Sequence, residues 1–190
     1  MVASWPSNPL PGNARGWKST CASIAVSNVE LVPCAVGEDP LETDLYVVDG
    51  FHDWCNSLRP PAVEASTATV RVQVRRLDDI LSELKISEVD FLKLDVEGAE
   101  LSALCGAMKL LRGDSRPAML VEVQDVRTQR WGYAARQILQ FLIRMEYQWF
   151  VMATKGALLP ISCLEQTYDA NLVALPVERT EEFLNLLGQK

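Results

Sequence analysis

Two acidic residues, Asp95 and Glu97, stand at the end of a short apolar run and directly before Gly98. A buried parallel strand that ends in carboxylates delivers them to the carboxyl edge of an α/β sheet, where such sheets bind ligands. Carboxylates at that edge can accept a hydroxyl proton or orient a hydroxyl group. The spacing predicts an enzyme site at this turn, with helix capping as the alternative role for Glu97.

A third carboxylate, Glu122, lies near the carboxyl end of another apolar run, residues 118–123. A carboxylate inside such a strand is rarely buried without a partner, which is either a ligand or a cation such as Lys93 or a nearby arginine. Together with Asp95 and Glu97 it offers the oxygen ligands that Mg²⁺ and Mn²⁺ prefer. Because no histidine or second spaced pair accompanies these acids, the sequence predicts no metal site.

The surrounding periodicity predicts the elements that position these acids. Predicted strands cover residues 28–32, 45–48, 70–75, 91–94, 118–123, 148–152 and 171–174. Predicted helices cover residues 77–84, 97–112 and 133–146, and a last one within 177–190 begins at Thr180. Residues 49–69 form the longest loop. From residue 88 onward, the order of elements predicts an α/β protein with a mostly parallel sheet and an antiparallel C-terminal edge hairpin.

The composition limits the class of protein. The chain has 190 residues, 48% of them hydrophobic and 23% charged, which predicts one domain over residues 1–190. The net charge of −7 argues against a nucleic-acid partner, and no apolar run approaches the roughly 20 residues that cross a bilayer. Five scattered cysteines suit reduced thiols better than a disulfide framework, so we predict a cytoplasmic protein.

The segment from Asp90 to Ala107, DFLKLDVEGAELSALCGA, resembles the signature of FkbM-type methyltransferases, and the flanking segments 28–37, 74–81, 120–123 and 171–176 resemble further family motifs in the same order. The resemblance implies a three-layer, Rossmann-like class I methyltransferase fold. It also implies methyl transfer from S-adenosylmethionine to a hydroxyl of a small-molecule, sugar or lipid-like acceptor. In the family the exit of the third strand flanks the adenine, a position that Cys34, Ala35 and Val36 occupy in this chain.

The chain departs from the family pattern at its beginning. The family's first strand and its Asp-x-Gly-x-x-x-Gly-type loop have no counterpart, and Pro6-Ser7-Asn8-Pro9 stands where the family carries a Glu-Pro-Asn-Pro-like turn. Asn8 stays a candidate cofactor contact. We expect the chain to begin at the second strand of the fold, which makes the fold N-terminally incomplete. The neighbours of the missing central strand would then present a sheet edge for self-association.

The resemblance implies that Asp95 and Glu97 position the acceptor and that Glu122 supports them. The other candidates on the acceptor side are Gly98, His52 and Trp54. Gly98 also indicates close packing or an unusual backbone angle, and the tryptophans and tyrosines favour core or rim packing. Three alternatives remain: a truncated and inactive methyltransferase, a metal-dependent glycosyltransferase using Asp95 and Glu97, and a non-catalytic remnant acting as an interaction domain.

Overall fold

The structure is a computed structural model that describes residues 2–4, 28–48, 56–60, 67–161, 167–186 and 188. These residues form a mixed α/β fold with ten strands. The strands are β1 (Val2–Ser4), β2 (Glu30–Val32), β3 (Ala35–Val36), β4 (Leu41–Val48), β5 (Thr67–Arg75), β6 (Phe91–Leu94), β7 (Ala118–Gln124), β8 (Tyr147–Met152), β9 (Leu158–Pro160) and β10 (Asp169–Pro176). No helix within the described ranges is both long and apolar enough to span a membrane.

The largest sheet has five strands in the order β6–β7–β10–β8–β9. β6 and β7 are parallel, whereas the other three pairings are antiparallel. This differs from the mostly parallel sheet that the sequence predicts. The last two predicted strands do pair antiparallel, but they form no edge hairpin, because β10 lies between β7 and β8 and leaves β9 at the edge. Two successive antiparallel pairings leave β8 running in the same direction as β6 and β7.

The remaining strands form two smaller sheets. β1 pairs with β2 in parallel, and the expectation that the chain begins at the second strand of the family fold stays a prediction. β5 lies between β3, its parallel neighbour, and β4, its antiparallel neighbour. Among the described strands β6 has a single neighbour, β7. The exposed edge expected from the sequence is therefore β6, and self-association through it stays a prediction.

Within the part of the chain that the structure describes, six α-helices connect or cover these strands. They are α1 (Leu77–Glu83), α2 (Glu100–Cys105), α3 (Met108–Arg112), α4 (Asp125–Thr128), α5 (Arg136–Arg144) and α6 (Thr180–Leu186). Short 3₁₀ turns occupy Gln129–Trp131, Thr154–Gly156 and Val177–Arg179. The hydroxyl of Thr180 donates to the carbonyl oxygen of Pro176 at 2.9 Å, so this residue begins α6 without acting as an amide-accepting cap.

The helix predicted after the acidic turn is interrupted, and α2 and α3 replace it. At Gly106, between them, a Cβ atom would lie 2.2 Å from the carbonyl oxygen of Gly37, so the backbone that follows β3 passes against this glycine. The Asp78 carboxylate then accepts the amide protons of Lys109 at 2.8 Å and Leu110 at 3.1 Å. A side-chain acceptor for these amides starts a new helix. Tertiary contacts therefore override the helical periodicity.

The main core determines which way the site residues point. Leu94 of β6 and Val121 of β7 are buried, and they belong to the same apolar cluster as Ile138 of α5. Because side chains alternate along a strand, Lys93 and Glu122 point to the opposite face. The core on one face of β6 and β7 thus places charged groups together on the other.

Some predictions concern residues that the structure describes only in part. Of the long loop 49–69, residues 56–60 are described, and Ser57 forms a β-bridge with Tyr46. Cys34 is buried and Cys105 half-buried, both as free thiols, while the other three cysteines lie outside the described residues. The single domain, the three-layer arrangement and the cytoplasmic location stay predictions.

Candidate active site

Three carboxylates meet where β6 and β7 end. The parallel register pairs Leu94 with Val121, so Asp95 follows β6 beside Glu122 of β7. The turn after Asp95 brings Glu97 to the same place, and one carboxylate oxygen from each residue lies within 4.8 Å of the other two. The structure therefore brings together the three acids that the sequence singled out as catalytic candidates.

The backbone of the acidic turn requires its glycine. Glu97 has φ of 56° and Gly98 has φ of 95°, both in the left-handed region. A Cβ atom on Gly98 would lie 2.7 Å from Cδ1 of Trp131 and 2.9 Å from the carbonyl oxygen of Arg127. Both effects predicted for Gly98, an unusual backbone angle and close packing, are confirmed.

Three side chains hold the carbonyl groups of this turn. Ser57 Oγ and Trp131 Nε1 donate to the carbonyl oxygen of Glu97 at 3.0 and 3.3 Å, and the Tyr133 hydroxyl donates to that of Gly98 at 2.6 Å. Burial raises the pKa of Tyr133, which keeps this hydroxyl protonated as a donor. Such contacts stabilise a non-glycine residue at positive φ, a conformation that costs about 1–3 kcal/mol.

A fourth acid, Glu100, caps the turn. Its carboxylate is 1% exposed and accepts the amide protons of Val96 at 3.1 Å and Gly98 at 3.2 Å. Burial raises the pKa of Glu100, and these amide donors partly counter that effect. The capping role considered for Glu97 is wrong, because no side chain caps the first turn of α2 and the Glu97 carboxylate pairs with Arg127 instead. Glu97 is left with its carboxylate turned toward the other acids.

Two cations compensate the three converging acids. Lys93 Nζ lies 2.6 Å from Oδ2 of Asp95, an exposed pair. The Arg127 guanidinium in α4 pairs with Glu97 through Nη1, and its Nε lies 3.4 Å from Oε2 of Glu122. Asp95 and Glu97 therefore each have a close cation, whereas Glu122 shares one at a longer distance. Oε2 of Glu122 is buried and has no hydrogen-bond partner among the described residues.

The environment of Glu122 raises its pKa to about 7. Burial is the largest cause, since the side chain is only 12% exposed, and the negative charges of Asp95 and Glu100 come next. The closeness of the Asp95 carboxylate adds to the rise, and the positive charge of Lys93 opposes it. At about 4–5 Å and an effective dielectric constant of ~20, two like charges repel by roughly 3–4 kcal/mol. The site consequently relieves its surplus charge by letting Glu122 take a proton near neutral pH.

The three carboxylates are close enough together for a divalent cation. Arg127 already pairs with two of them, Glu97 and Glu122, and Lys93 pairs with the third. Since the positive charge that a metal ion would supply comes from these side chains, we assign no metal ligands to the site. The sequence-based prediction of no metal site stays a prediction.

The residues that the resemblance places at the cofactor are only partly described. Cys34 and Val36 are 4% and 6% exposed and belong to the main core, while Ala35 packs against a smaller apolar cluster. An adenine could therefore contact little more than their backbone. Asn8 lies outside the described residues. These residues alone do not fit a whole S-adenosylmethionine molecule, and their cofactor role stays a prediction.

Two of the remaining candidate residues lie outside the described part of the chain, and two residues that the sequence did not single out border the three acids. His52 and Trp54 lie outside the described residues, so their predicted role stays a prediction. Sequence reasoning missed Ser57, which no pattern marks, and did not single out Arg127. The expected pairing of Glu122 with a nearby arginine was the available signal for Arg127, five residues further along the chain. In addition, the Arg59 guanidinium lies 5.2 Å from the ring centre of Trp131, so residues 56–60 border the site.

The comparison with protein families confirms the resemblance. The family model of the methyltransferase FkbM domain matches residues 8–149, more than half of the chain. A crystal structure of methyltransferase FkbM from Methylobacillus flagellatus KT is similar, with 20% sequence identity, a TM-score of 0.49 and coverage of 92% of this chain. The chain spans 36% of that protein's length. A comparison with curated proteins returned no match. By the extent of the family match, this chain belongs to the FkbM methyltransferase family.

Proposed function

We propose that this domain transfers a methyl group to a hydroxyl of a small-molecule, sugar or lipid-like acceptor, with Glu122 as the general base. The observation that carries the proposal is the state of Glu122, whose buried carboxyl has a pKa raised to about 7 beside two further acids. A general base works best when its pKa lies near the working pH. Family membership supports the methyl transfer itself.

The proposed chemistry needs one proton transfer on the acceptor side. The acceptor O–H bond breaks as its proton moves to Glu122, and the oxygen electron pair forms the new O–CH₃ bond. The methyl carbon would at the same time lose its bond to the sulfonium sulfur of a bound donor, and that sulfur would keep the electron pair and leave as a neutral thioether. Asp95 and Glu97, each paired with a cation, accept hydrogen bonds and orient the acceptor. S-adenosylmethionine is the donor expected for the family. The described residues supply the acceptor side only.

The roles of the acids thus differ from those that the resemblance implies. Asp95 and Glu97 were expected to lead and Glu122 to support them. The carboxylates of Asp95 and Glu97 are each engaged in a close ion pair, with Lys93 and Arg127 respectively. Glu122 has the longer contact with a cation, 3.4 Å from Arg127, and the raised pKa. We therefore assign the proton transfer to Glu122 and the positioning of the acceptor to the other two.

Binding is the first test of this proposal. S-adenosylhomocysteine is titrated by calorimetry into this chain and into a version with an N-terminal extension that supplies the family's first strand and glycine loop. We expect binding by the extended version. An absence of heat from both versions would contradict the methyltransferase proposal and favour the non-catalytic interaction domain. Manganese-dependent binding of a nucleotide diphosphate sugar would favour the glycosyltransferase.

Turnover is the second test. S-adenosylhomocysteine release is measured with a panel of hydroxylated sugars, lipids and small alcohols, for the extended version and for its Glu122→Gln variant. The matched control is Glu146→Gln, because Glu146 is an exposed glutamate in the turn after α5. We expect Glu122→Gln to lose turnover and to keep its affinity for S-adenosylhomocysteine. Equal turnover by both variants would contradict the assignment of the base.

A further inference from the structure

Arg127 has a place in the site that neither the family match nor the sequence pattern assigns. It lies in α4, directly after β7, and its side chain is 20% exposed. The guanidinium pairs with Glu97 through Nη1, lies 3.4 Å from Glu122 through Nε, and donates from Nε to Oε1 of Gln124 at 2.7 Å. One planar group therefore contacts the turn after β6 and two residues of β7.

The geometry points to Arg127 as a positioning residue, whose guanidinium holds the carboxylates of Glu97 and Glu122 side by side at the acceptor site. Without a cation between them, two buried carboxylates at this separation repel and turn away from each other. Arginine suits this place because its fork presents several N–H donors in fixed directions, which a lysine ammonium does not. This role rests on the proposed function of Glu122 as the base.

Within the described residues, the charged groups around Glu122 come from three parts of the fold. β6 and its turn contribute Lys93, Asp95 and Glu97, α2 contributes Glu100, and α4 contributes Arg127. On the other side β10 pairs the neutral Asn171 with Glu122, and Asp169 with Gln124. Of the two cations, Lys93 is committed to Asp95. Arg127 is the cation that contacts Glu122 directly, at 3.4 Å, whereas Lys93 lowers the pKa of Glu122 without such a contact.

The test follows the protonation of Glu122 without requiring catalysis. The full chain is labelled with ¹³C-glutamate, and the side-chain carboxyl resonance of Glu122 is identified by its loss in Glu122→Gln. Its pH titration is compared in the parent protein, Arg127→Gln and Arg127→Lys. The matched control is Arg144→Gln, which removes an exposed arginine from the last turn of α5.

We expect the Glu122 midpoint to rise by about 1 pH unit in Arg127→Gln, because a nearby positive charge favours the ionised acid. Arg127→Lys should give a smaller rise, and Arg144→Gln none. A purely structural role for Arg127 would lower stability without moving this midpoint. If Arg127→Gln does not fold, as judged by its ¹H–¹⁵N spectrum, the midpoint measured in Arg127→Lys tests the inference. That variant retains the positive charge but lacks the forked N–H donors of the guanidinium.

The outcomes separate this inference from the proposed function. An unchanged midpoint in both Arg127 variants overturns the positioning role, even if the protein proves to be an active methyltransferase. A raised midpoint supports it, even if no acceptor is found. In an active protein, the same variants should shift the acid limb of the pH–rate profile toward higher pH by the same amount.

Discussion

One arginine precedes β7 and another follows it, and these two arginines differ in the number of carboxylates that they contact. Arg116, before the strand, donates from Nη1 to the carbonyl oxygen of Met145 and binds Glu178 through Nε, at 2.8 Å, and Nη2. It also lies 5.2 Å from the ring centre of Tyr147. Arg127, after the strand, divides its contacts between Glu97 and Glu122. One end has one carboxylate for its arginine, and the other has two.

The consequence appears in the protonation of the acids. A full fork-to-carboxylate contact with Arg116 lowers the pKa of Glu178. At the other end, burial and neighbouring acids raise the pKa of Glu122 to about 7. An arginine and a glutamate therefore form a stable ion pair at Arg116 and Glu178, whereas at Arg127 and Glu122 the glutamate can titrate near neutral pH. The difference lies in burial and in the ratio of acids to cations.

The largest expected effect is on catalysis. Glu122→Gln should reduce turnover about 100-fold or more, which is the usual contribution of a general base. Glu178→Gln, at the opposite end of β7, should leave turnover unchanged. Both rates are measured as S-adenosylhomocysteine release under saturating acceptor. Equal losses of turnover in Glu122→Gln and Glu178→Gln would contradict a catalytic role that is specific to the Arg127 end of β7.

Replacement of Gly98 tests how tightly the Arg127 end is packed. Gly98→Ala should destabilise the fold by ~3 kcal/mol, because it combines a positive φ with contacts to Trp131 and the backbone of Arg127. Gly132→Ala is the matched control, since Gly132 has φ of 81° and no atom within 4 Å of the added Cβ. That control should cost ~1 kcal/mol. Denaturant unfolding measures both, and similar losses would contradict the tight packing.

Removal of each arginine should affect stability unequally. Arg116→Gln should cost ~2 kcal/mol, since Arg116 is 11% exposed and the change leaves the carbonyl of Met145 without its donor. Arg127→Gln should cost less at pH 6, because this pH lies below the pKa of about 7 of Glu122, which is then already largely protonated and needs no cation. Urea unfolding at that pH compares them. A larger loss of unfolding free energy in Arg127→Gln than in Arg116→Gln would contradict this prediction, because it would show that the contacts of Arg127 stabilise the fold more.

The smallest expected effect is a pH dependence of opposite sign at the two ends. Glu122 has a raised pKa in the folded protein, so its contribution to stability is complete below its ordinary pKa and is lost as pH rises through about 7. Glu178 has a lowered pKa, so its contribution is lost as pH falls. Glu122→Gln should therefore be more stable than the parent by ~1 kcal/mol at pH 8 and equal to it at pH 5.

Unfolding free energies at these two pH values check this prediction. Glu178→Gln is the control. Because the contribution of Glu178 to stability is lost as pH falls, the stability difference between Glu178→Gln and the parent should shrink on acidification. A stability difference between Glu122→Gln and the parent that does not change with pH would contradict the raised pKa of Glu122.

Much of the site could be predicted because it follows from short-range pattern. The apolar runs ending at Leu94 and Val123 indicate strands, and strand alternation then sends Glu122 to the face opposite the core. The glycine at position 98 indicates a backbone angle that other residues avoid, and its φ of 95° agrees. The break between α2 and α3 could not be predicted, since it depends on Gly37 and Asp78, which lie far away in the chain.

By its own pattern the sequence determined that acids gather at the carboxyl end of β6 and that the chain resembles the FkbM family, because both depend on residues close together in the chain. Only the tertiary structure decided which acid keeps its proton. That outcome depends on burial and on the distances from Glu122 to Asp95, Glu100 and Arg127, which come together from β6, α2 and α4. Electrostatic energies depend on separation in space and on solvent access, which sequence spacing does not specify.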